Sequence, residues 1–466
     1  LEKLKKSATP TFDQNLPHKT REPETQSRQF PPQELRRPPD LLPRTFSQCL
    51  HPTFMSAPAP STVRGANARI LIGFAEALSA PEVTWSLVDH GFEVIAFARK
   101  GRHAALRHSH FVRVHEVTPP DLSVDATLKD LQSLIGSLTA AEPKKPLAFL
   151  PLDDAALWLS GRLPEIPGLV IAAPRRSSAH LALDKALQIE TARAAGLKVL
   201  ETTVASTAAE VAAQSHRLPL ILKAAGAVVE QKGRLIKTAN WICGTKAELE
   251  KATAAWAERT PLLVQNFIQG TGEGIFGMAL PDGVKAWSGH RRLRMMNPHG
   301  SGSSAAMSQT VPPELKEPVQ RFLDSVSWRG LFMIELLADD AGQRWFMEFN
   351  GRPWGSTALS RRQGLEYPAW NVEMALNASV PIAETPAFSR PVVCRNLGRE
   401  LMYPLFVLRG PKSSALKQWP SFWKALCEIL RIGRGEHFYN WRANDLAVFI
   451  GDAYYTVRDQ LVKSRA

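Results

Sequence analysis

The stretch FMEFNGRPWGS, Phe346 to Ser356, sets an acid, an amide and an arginine at the end of a strand that is otherwise apolar. Side chains alternate along a strand, so Trp345, Met347 and Phe349 are expected on one face and Glu348 and Asn350 on the other. The preceding LFMIELLADDAGQRW makes this the second half of a hairpin that turns near Ala338–Gly342 and sets Glu335 opposite Glu348. Carboxylates facing each other across paired strands repel, and burial sharpens the conflict by disfavouring the charged form. A divalent cation resolves it. Asn350 adds an amide oxygen on the same face. Two carboxylates, one carbonyl and the oxygens of a phosphate suit Mg²⁺, which binds with few protein ligands and keeps water or phosphate for the rest. The competing reading is two acids on a solvated face, and the strongly apolar flanks weigh against it.

A basic strand lies upstream. In HRRLR, His290, Arg292 and Arg294 are expected to share a face. Three such groups call either for an anion, such as a triphosphate with its metal, or for an edge strand guarded by charge. The loop NPHGSGSSA after them can offer backbone N–H groups to an anion or serve as a flexible link. Lys223, ending PLILK, and Lys185, in LDKALQ, are compact charges suited to phosphate oxygens, although a single lysine is ordinarily a surface residue.

Around these motifs the chain changes rhythm once. ARILIGF and EVIAFAR bracket SAPEVTWSLVDHG, and LAFLPL ends in Asp153 and Asp154. Such strand–helix–strand units predict a mostly parallel sheet up to about Arg175. SSAHLALDKALQIETARAAG reads as one helix closed by Gly196. Antiparallel hairpins follow, turning at QKG, at PDG and near Ala338–Gly342, with helices at 246–258 and 313–326 between them. The last segment, about 390–466, is mixed, with amphipathic helices expected at SSALKQWPSFWKALCEIL and AYYTVRDQLVKS. Residues 1–66 are rich in Pro, Gln, Ser and Thr without apolar periodicity and are expected to be disordered, the functional protein starting near Met55.

Of the 466 residues, 44% are hydrophobic and 22% charged, an ordinary balance for a globular protein. No apolar run nears the ~18 residues of a membrane span, and no secretory signal pattern opens the chain. Cys49, Cys243, Cys394 and Cys427 stand apart, which suggests neither a zinc site nor a disulfide framework and fits a reducing cytoplasm. The net charge is +13, but no Lys/Arg run is interleaved with aromatics. That favours arginines serving an anionic small molecule over nucleic-acid binding.

Together these residues resemble the ATP-grasp superfamily, in its carbamoyl-phosphate-synthetase-type, carboxylate–amine-ligase-like branch, over about Arg69–Asn377. The resemblance implies a disordered extension (1–66), an α/β pre-ATP-grasp domain (67–180), a two-lobed α+β ATP-grasp domain with antiparallel sheets (181–380), and a small mixed or helical C-terminal accessory segment (381–466). FMEFNGRPWGS is similar to the family's E-x-N-x-R sequence, which implies Mg²⁺, or Mn²⁺ in its place, on Glu335, Glu348 and Asn350 and a phosphate contact from Arg352. PLILK and LDK imply contacts from Lys223 and Lys185 to ATP phosphates. PLLVQNFIQGTGEG resembles the adenine hinge, which puts Gln265, Phe267 and Ile268 near adenine and Glu273 near ribose. HRRLR and its Gly-Ser loop imply Arg292 and Arg294 at the phosphates and the second substrate, with specificity in the Gly300–Ser304 loop and the front domain. Trp354, Arg361 and Arg362 are expected along the substrate wall. The implied reaction is ATP- and Mg-dependent ligation of a small-molecule carboxylate to an amine or thiol through an acyl phosphate, releasing ADP and phosphate. No nucleic-acid or membrane partner is expected. A non-catalytic ATP-binding regulatory module and a kinase-like phosphotransferase are the alternatives.

Overall fold

The computed structural model describes residues 67–463, apart from 237–238, 259, 301, 379, 381, 383–389 and 434. The expectations for 1–66, including a start near Met55, lie outside the described residues. The first strand, β1 (Arg69–Gly73), is buried at every position, as a strand covered on both faces must be. The chain continues through α1 (Ala80–Asp89), β2 (Glu93–Arg99), β3 (Val112–Val117), α2 (Val124–Ala141), β4 (Leu147–Pro151), α3 (Asp154–Ser160) and β5 (Leu169–Ile171). The five strands form one sheet in the order β3-β2-β1-β4-β5, parallel throughout. Ile70, Ile72 and Val94 meet Val83 and Leu87 of α1 on one face. Leu71, Ile95 and Phe149 meet Leu131 and Ile135 of α2 on the other. The loops that leave β1 and β4 therefore emerge at the same edge, the carboxyl ends of parallel strands where α/β sheets hold ligands.

The single helix expected at 177–195 is two, α4 (Ser177–Leu183) and α5 (Lys185–Ala194). Asp184 takes an extended backbone between them, and its carboxylate accepts the Leu187 amide as the cap of α5. Local capping prevails over the apolar period. It leaves Lys185 at the first helical position, its amide donating to the Ala225 carbonyl at 2.7 Å.

Next come β6 (Thr202–Ala205), α6 (Ala208–Ala213), β7 (Leu220–Ala224), β8 (Val229–Gln231), β9 (Arg234–Ile236), β10 (Trp241–Cys243), α7 (Lys246–Trp256) and β11 (Leu262–Asn266). Four of these make an antiparallel sheet, β10-β7-β11-β6. The two-strand hairpin expected from PLILK to ICG is thus two separate pairings. β7 and β10 join the sheet, while β8 and β9 form a small hairpin of their own. Lys232 and Gly233 both take positive φ at its tip (52° and 71°), the backbone of the tightest hairpin turns. That tip reaches the front sheet's loops: the Val124 amide donates to the Gly233 carbonyl and the Leu235 amide to the Pro120 carbonyl, each at 2.8 Å.

The remaining elements are β12 (Thr271–Leu280), β13 (Gly283–Met295), β14 (Ser303–Gln309), α8 (Pro313–Asp324), β15 (Gly330–Ala338), β16 (Arg344–Asn350), α9 (Thr357–Arg361), α10 (Tyr367–Ala375), β17 (Val393–Arg395), α11 (Leu397–Leu408), α12 (Phe422–Leu430), β18 (Glu436–Phe438) and α13 (Leu446–Lys463). Seven strands form the sheet β16-β15-β12-β13-β14-β17-β18. The hairpins at PDG and at 339–343 form as expected. The helix expected over the whole of SSALKQWPSFWKALCEIL is only α12, which starts after Pro420 with Ser421 as its cap. The C-terminal segment is bound into the large sheet by β17 and β18 rather than standing outside it.

Candidate active site

The register of β15 and β16 pairs Glu335 with Glu348. Met347 is an extra residue in β16, because Leu336 faces Phe346 while Glu335 faces Glu348. This bulge shifts the alternation, so Phe346 and Phe349 enter the core, where a strict period had grouped Trp345, Met347 and Phe349. The two carboxylates are recessed, 28% and 29% exposed, and not on an open face. Glu335 accepts from Arg292 at 2.8 Å, and Glu348 faces the Lys185 ammonium at 3.4 Å. Burial pushes the Glu348 carboxyl up, the Lys185 charge opposes that, and Glu335 adds to it. Lys223, at the end of β7, is held down to about 8 by burial, with Glu348 pulling the other way. Asn350, 5% exposed, lies two residues on along β16. Among the described residues no cluster of three or more His, Cys, Asp or Glu could hold a metal. The donors here are two carboxylates and an amide, a hard oxygen set that fits Mg²⁺ completed by phosphate or water.

A cavity of about 420 Å³ opens beside this pair. Glu335, Asn350, Arg292 and Arg352 line it from the large sheet, and Ser79 and Asp153 from the loops after β1 and β4. Arg352 is clamped by Asp154, Nε to Oδ1 at 2.6 Å and Nη2 to Oδ2 at 3.1 Å. Asp153 caps α3 and accepts from Arg99 at 2.7 Å. The sequence pointed to this acid pair only as a strand end; its neighbours are what make it an anchor for Arg352.

The structure also brings in groups that no motif marked. Arg399 of α11 and Tyr439 after β18 line the same cavity. Arg399 donates to the Ser303 carbonyl at 3.0 Å, and among the described residues no carboxylate stands within ion-pair distance of it. Burial holds its guanidinium below the usual range, with Asp452 the main opposing charge. The Tyr439 hydroxyl, Trp354 Nε1 and His290 Nε2 are buried without a hydrogen-bond partner among the described residues. Buried polar atoms are nearly always satisfied, so a cavity edged by unsatisfied ones is built for a polar guest. His290 Nδ1 is bonded to Ser356 Oγ at 2.6 Å, and burial drives the imidazole well below its ordinary range. The clue to Arg399 in sequence was only an arginine beginning an amphipathic helix.

Several expected site residues sit elsewhere. Arg294 does not share the cavity with Arg292: Leu293 is an extra residue between them, since Arg292 faces Ala306 and Arg294 faces Ala305. Its guanidinium instead grips Glu400 at 3.1 and 2.7 Å, in a network with Arg395. Glu273 is 3% exposed and accepts from Arg344 at 2.7 Å, so its carboxylate is spent on the fold rather than offered to a ribose. Gln265 is buried with its amide on Thr202 Oγ1 at 2.8 Å. The Phe267 amide donates to the Pro219 carbonyl at 2.9 Å. Phe267 and Ile268 lie on the link between β11 and β12, which joins the four-stranded antiparallel sheet to the seven-stranded mixed one. Trp354 lines the cavity and stacks on Phe276 at 4.6 Å. Arg361 instead binds Glu82, Asp89 and Glu366, and Arg362 binds the Trp441 carbonyl. Of the Gly300–Ser304 loop, Gly302 and Ser303 reach the cavity.

No protein-family model matches the sequence, and a comparison with curated proteins finds no match. Solved structures do match. The biotin carboxylase domain of the Hydrogenobacter thermophilus 2-oxoglutarate carboxylase, seen with MgADP, ADP and bicarbonate, is 16% identical with a TM-score of 0.53, over 70% of this chain and 73% of that one. N5-carboxyaminoimidazole synthetase from Staphylococcus aureus is 15% identical with a TM-score of 0.52, over 73% and 85%. The N5-carboxyaminoimidazole synthase of Aspergillus clavatus, with ADP and 5-aminoimidazole ribonucleotide, is 14% identical with a TM-score of 0.52, over 71% and 82%. At these identities the likeness is one of fold.

Proposed function

We propose that this chain, whose fold is that of the ATP-grasp superfamily, is an ATP- and Mg²⁺-dependent ligase joining a small-molecule carboxylate to an amine or thiol through an acyl phosphate. The observation that carries the reading is the pairing of Glu335 with Glu348 across β15 and β16, ringed by Lys185, Lys223 and Arg292. Two of the three solved structures hold ADP, one of them with magnesium. Glu335, Glu348 and Asn350 would hold Mg²⁺, which when bound neutralises charge on phosphate oxygens. Lys223 and Arg292 are placed to take up the charge that spreads over a departing phosphoryl group. Asp154 fixes Arg352 by a two-point bond, so its guanidinium is positioned before substrate arrives. Arg399, which has no ion-paired acid among the described residues, suits the carboxylate to be activated, and the Tyr439 hydroxyl and Trp354 Nε1 can donate beside it.

The test is incubation with ATP, Mg²⁺ and pooled carboxylates and amines, with ADP and phosphate measured. Phosphate release that requires both pools supports ligation. A stable phosphorylated product would mean a phosphotransferase, and nucleotide binding without consumption a regulatory module.

Two further outcomes are expected. Arg399→Ala should raise KM for the carboxylate about 10- to 150-fold while moving KM for ATP little, since a charged hydrogen bond contributes about 1.5–3 kcal/mol. Steady-state kinetics with each substrate varied in turn reads the split. Lys223 should report on nucleotide binding through protons. It is charged below about 8 and neutral above it in the free protein. A phosphate beside it favours the charged form and raises its pKa. Binding of MgATP between pH 8 and 9 should therefore take up a proton and weaken as pH rises. Calorimetry in buffers of different ionisation enthalpy measures the uptake, and Lys223→Met should remove it.

A further inference from the structure

Of the fifteen large apolar side chains exposed among the described residues, twelve lie between Leu401 and Val462. Their arrangement is regular. On α11, Leu401, Leu405 and Leu408 are 50%, 40% and 61% exposed and follow the i, i+4, i+7 spacing of one helix face. On α12, Trp423, Cys427 and Leu430 repeat that spacing, with Trp423 72% and Leu430 71% exposed. The two helices meet through Tyr403, Val407 and Ala425, so each keeps its inner face for the other and leaves its stripe outside. Five exposed large apolar side chains on two adjoining helices mark a contact surface.

The charges choose the partner. Between Leu401 and Gly433 the exposed charged residues are Arg409, Lys412, Lys417, Lys424 and Arg431, all basic. The single acid of that span, Glu428, is half-buried. A second copy of this face would bring five cations against five with no exposed acid to meet them. An apolar stripe with a tryptophan and a basic rim is the pattern of helices that lie in the interface of an anionic bilayer.

We propose that the α11–α12 face is a docking surface for an anionic lipid bilayer, its apolar stripes entering the headgroup boundary and its lysines and arginines meeting the lipid charges. Attachment is peripheral and reversible. No described helix is long and apolar enough to cross a membrane, and each stripe is a single row of three side chains. Such attachment would depart from the expectation of no membrane partner. The same helix carries Arg399 into the cavity two positions before Leu401, so docking would set the cavity close to the lipid surface.

The test uses the full chain with vesicles of phosphatidylcholine, alone or mixed with phosphatidylserine. The protein should sediment with the mixed vesicles and not with the neutral ones. Raising salt from about 0.1 M to about 1 M, which shortens the Debye length from ~10 Å to ~3 Å, should release it. Trp423→Ser with Leu430→Ser should weaken binding about tenfold or more. Lys424→Glu with Arg431→Glu should weaken it about 25-fold, at roughly fivefold for each basic residue. Melting curves should stay unchanged in both, because all four side chains are exposed. The same reversal at exposed Lys246 and Lys251 of α7 should change binding little. The proposal is overturned if the natural chain ignores mixed vesicles, or if the α7 reversals weaken binding as much. It is overturned too if sedimentation velocity shows a dimer that the α12 substitutions abolish, which would assign the face to a second copy.

Discussion

Glu348→Gln is expected to lower substrate-dependent ADP formation by about 10³-fold while leaving the fold intact, the scale of losing one fixed electrostatic contact in a transition state. The substitution keeps the shape of the side chain and removes the charge that faces Glu335 and Lys185. In the free protein that charge is a burden. Burial raises the carboxyl above its ordinary 4.5, so the stability it contributes is fully present below the unfolded value and is lost as pH rises through the folded one. At neutral pH the amide should therefore melt no lower than the natural chain without ligand, and somewhat higher. The difference emerges with MgADP, which should raise the natural midpoint and barely move the variant's. Calorimetric scans with and without MgADP, beside the phosphate assay, check both halves. Near-normal turnover in the variant, or an equal ligand shift in both proteins, would rule out a metal role for this strand.

Arg361→Ala should produce the largest loss of stability, about 3–5 kcal/mol. The guanidinium, at the end of α9, binds Glu82 at 2.8 Å, Asp89 at 2.9 Å and Glu366 at 2.9 Å. Glu82 is 2% exposed, so removing the cation strands a buried carboxylate on α1. A fall in the melting midpoint on the order of 10 °C is expected at pH 7. The pH dependence carries a sign. In the natural chain burial pushes Glu366 up, but the Arg361 charge and hydrogen bond outweigh it and hold the carboxyl below 4.5. Its contribution is present above 4.5 and is lost as pH falls through the folded value. Without Arg361 burial is opposed only by Ser86 and His90, and the sign is expected to reverse: the penalty applies at neutral pH and is relieved as the acids protonate. The deficit should therefore shrink toward pH 4, and melting both proteins from pH 7 to pH 4 measures it.

Much of the architecture could be read in advance because the signals were local. Buried runs such as ARILIGF and turns such as PDG fix an element with a handful of residues. The pairing of Glu335 with Glu348 was legible for the same reason, since a short hairpin sets its own register. What escaped depended on distant partners or on one residue too many. Leu293 and Met347 are ordinary letters in a strand, yet each is a bulge that turns its neighbours to the other face, moving Arg294 onto Glu400 and Phe346 into the core. Glu273 looked free because Arg344 lies across the sheet from it rather than beside it in sequence. Arg399 and Tyr439 could not be found by motif, because what singles them out among the described residues is a guanidinium with no ion-paired carboxylate and a buried hydroxyl with no hydrogen-bond partner.

The joining of β17 and β18 to the large sheet bears on biosynthesis. The loop after β1 is made early, but its Leu78 carbonyl waits for Asn440, which also takes Glu82 through its own amide. Translation proceeds from the amino end, and the early units fold first. The front sheet can thus be complete while the cleft still lacks its far wall. A nascent chain therefore has no complete cleft until Tyr439 and Asn440 have emerged, so on the proposed reading turnover waits for them.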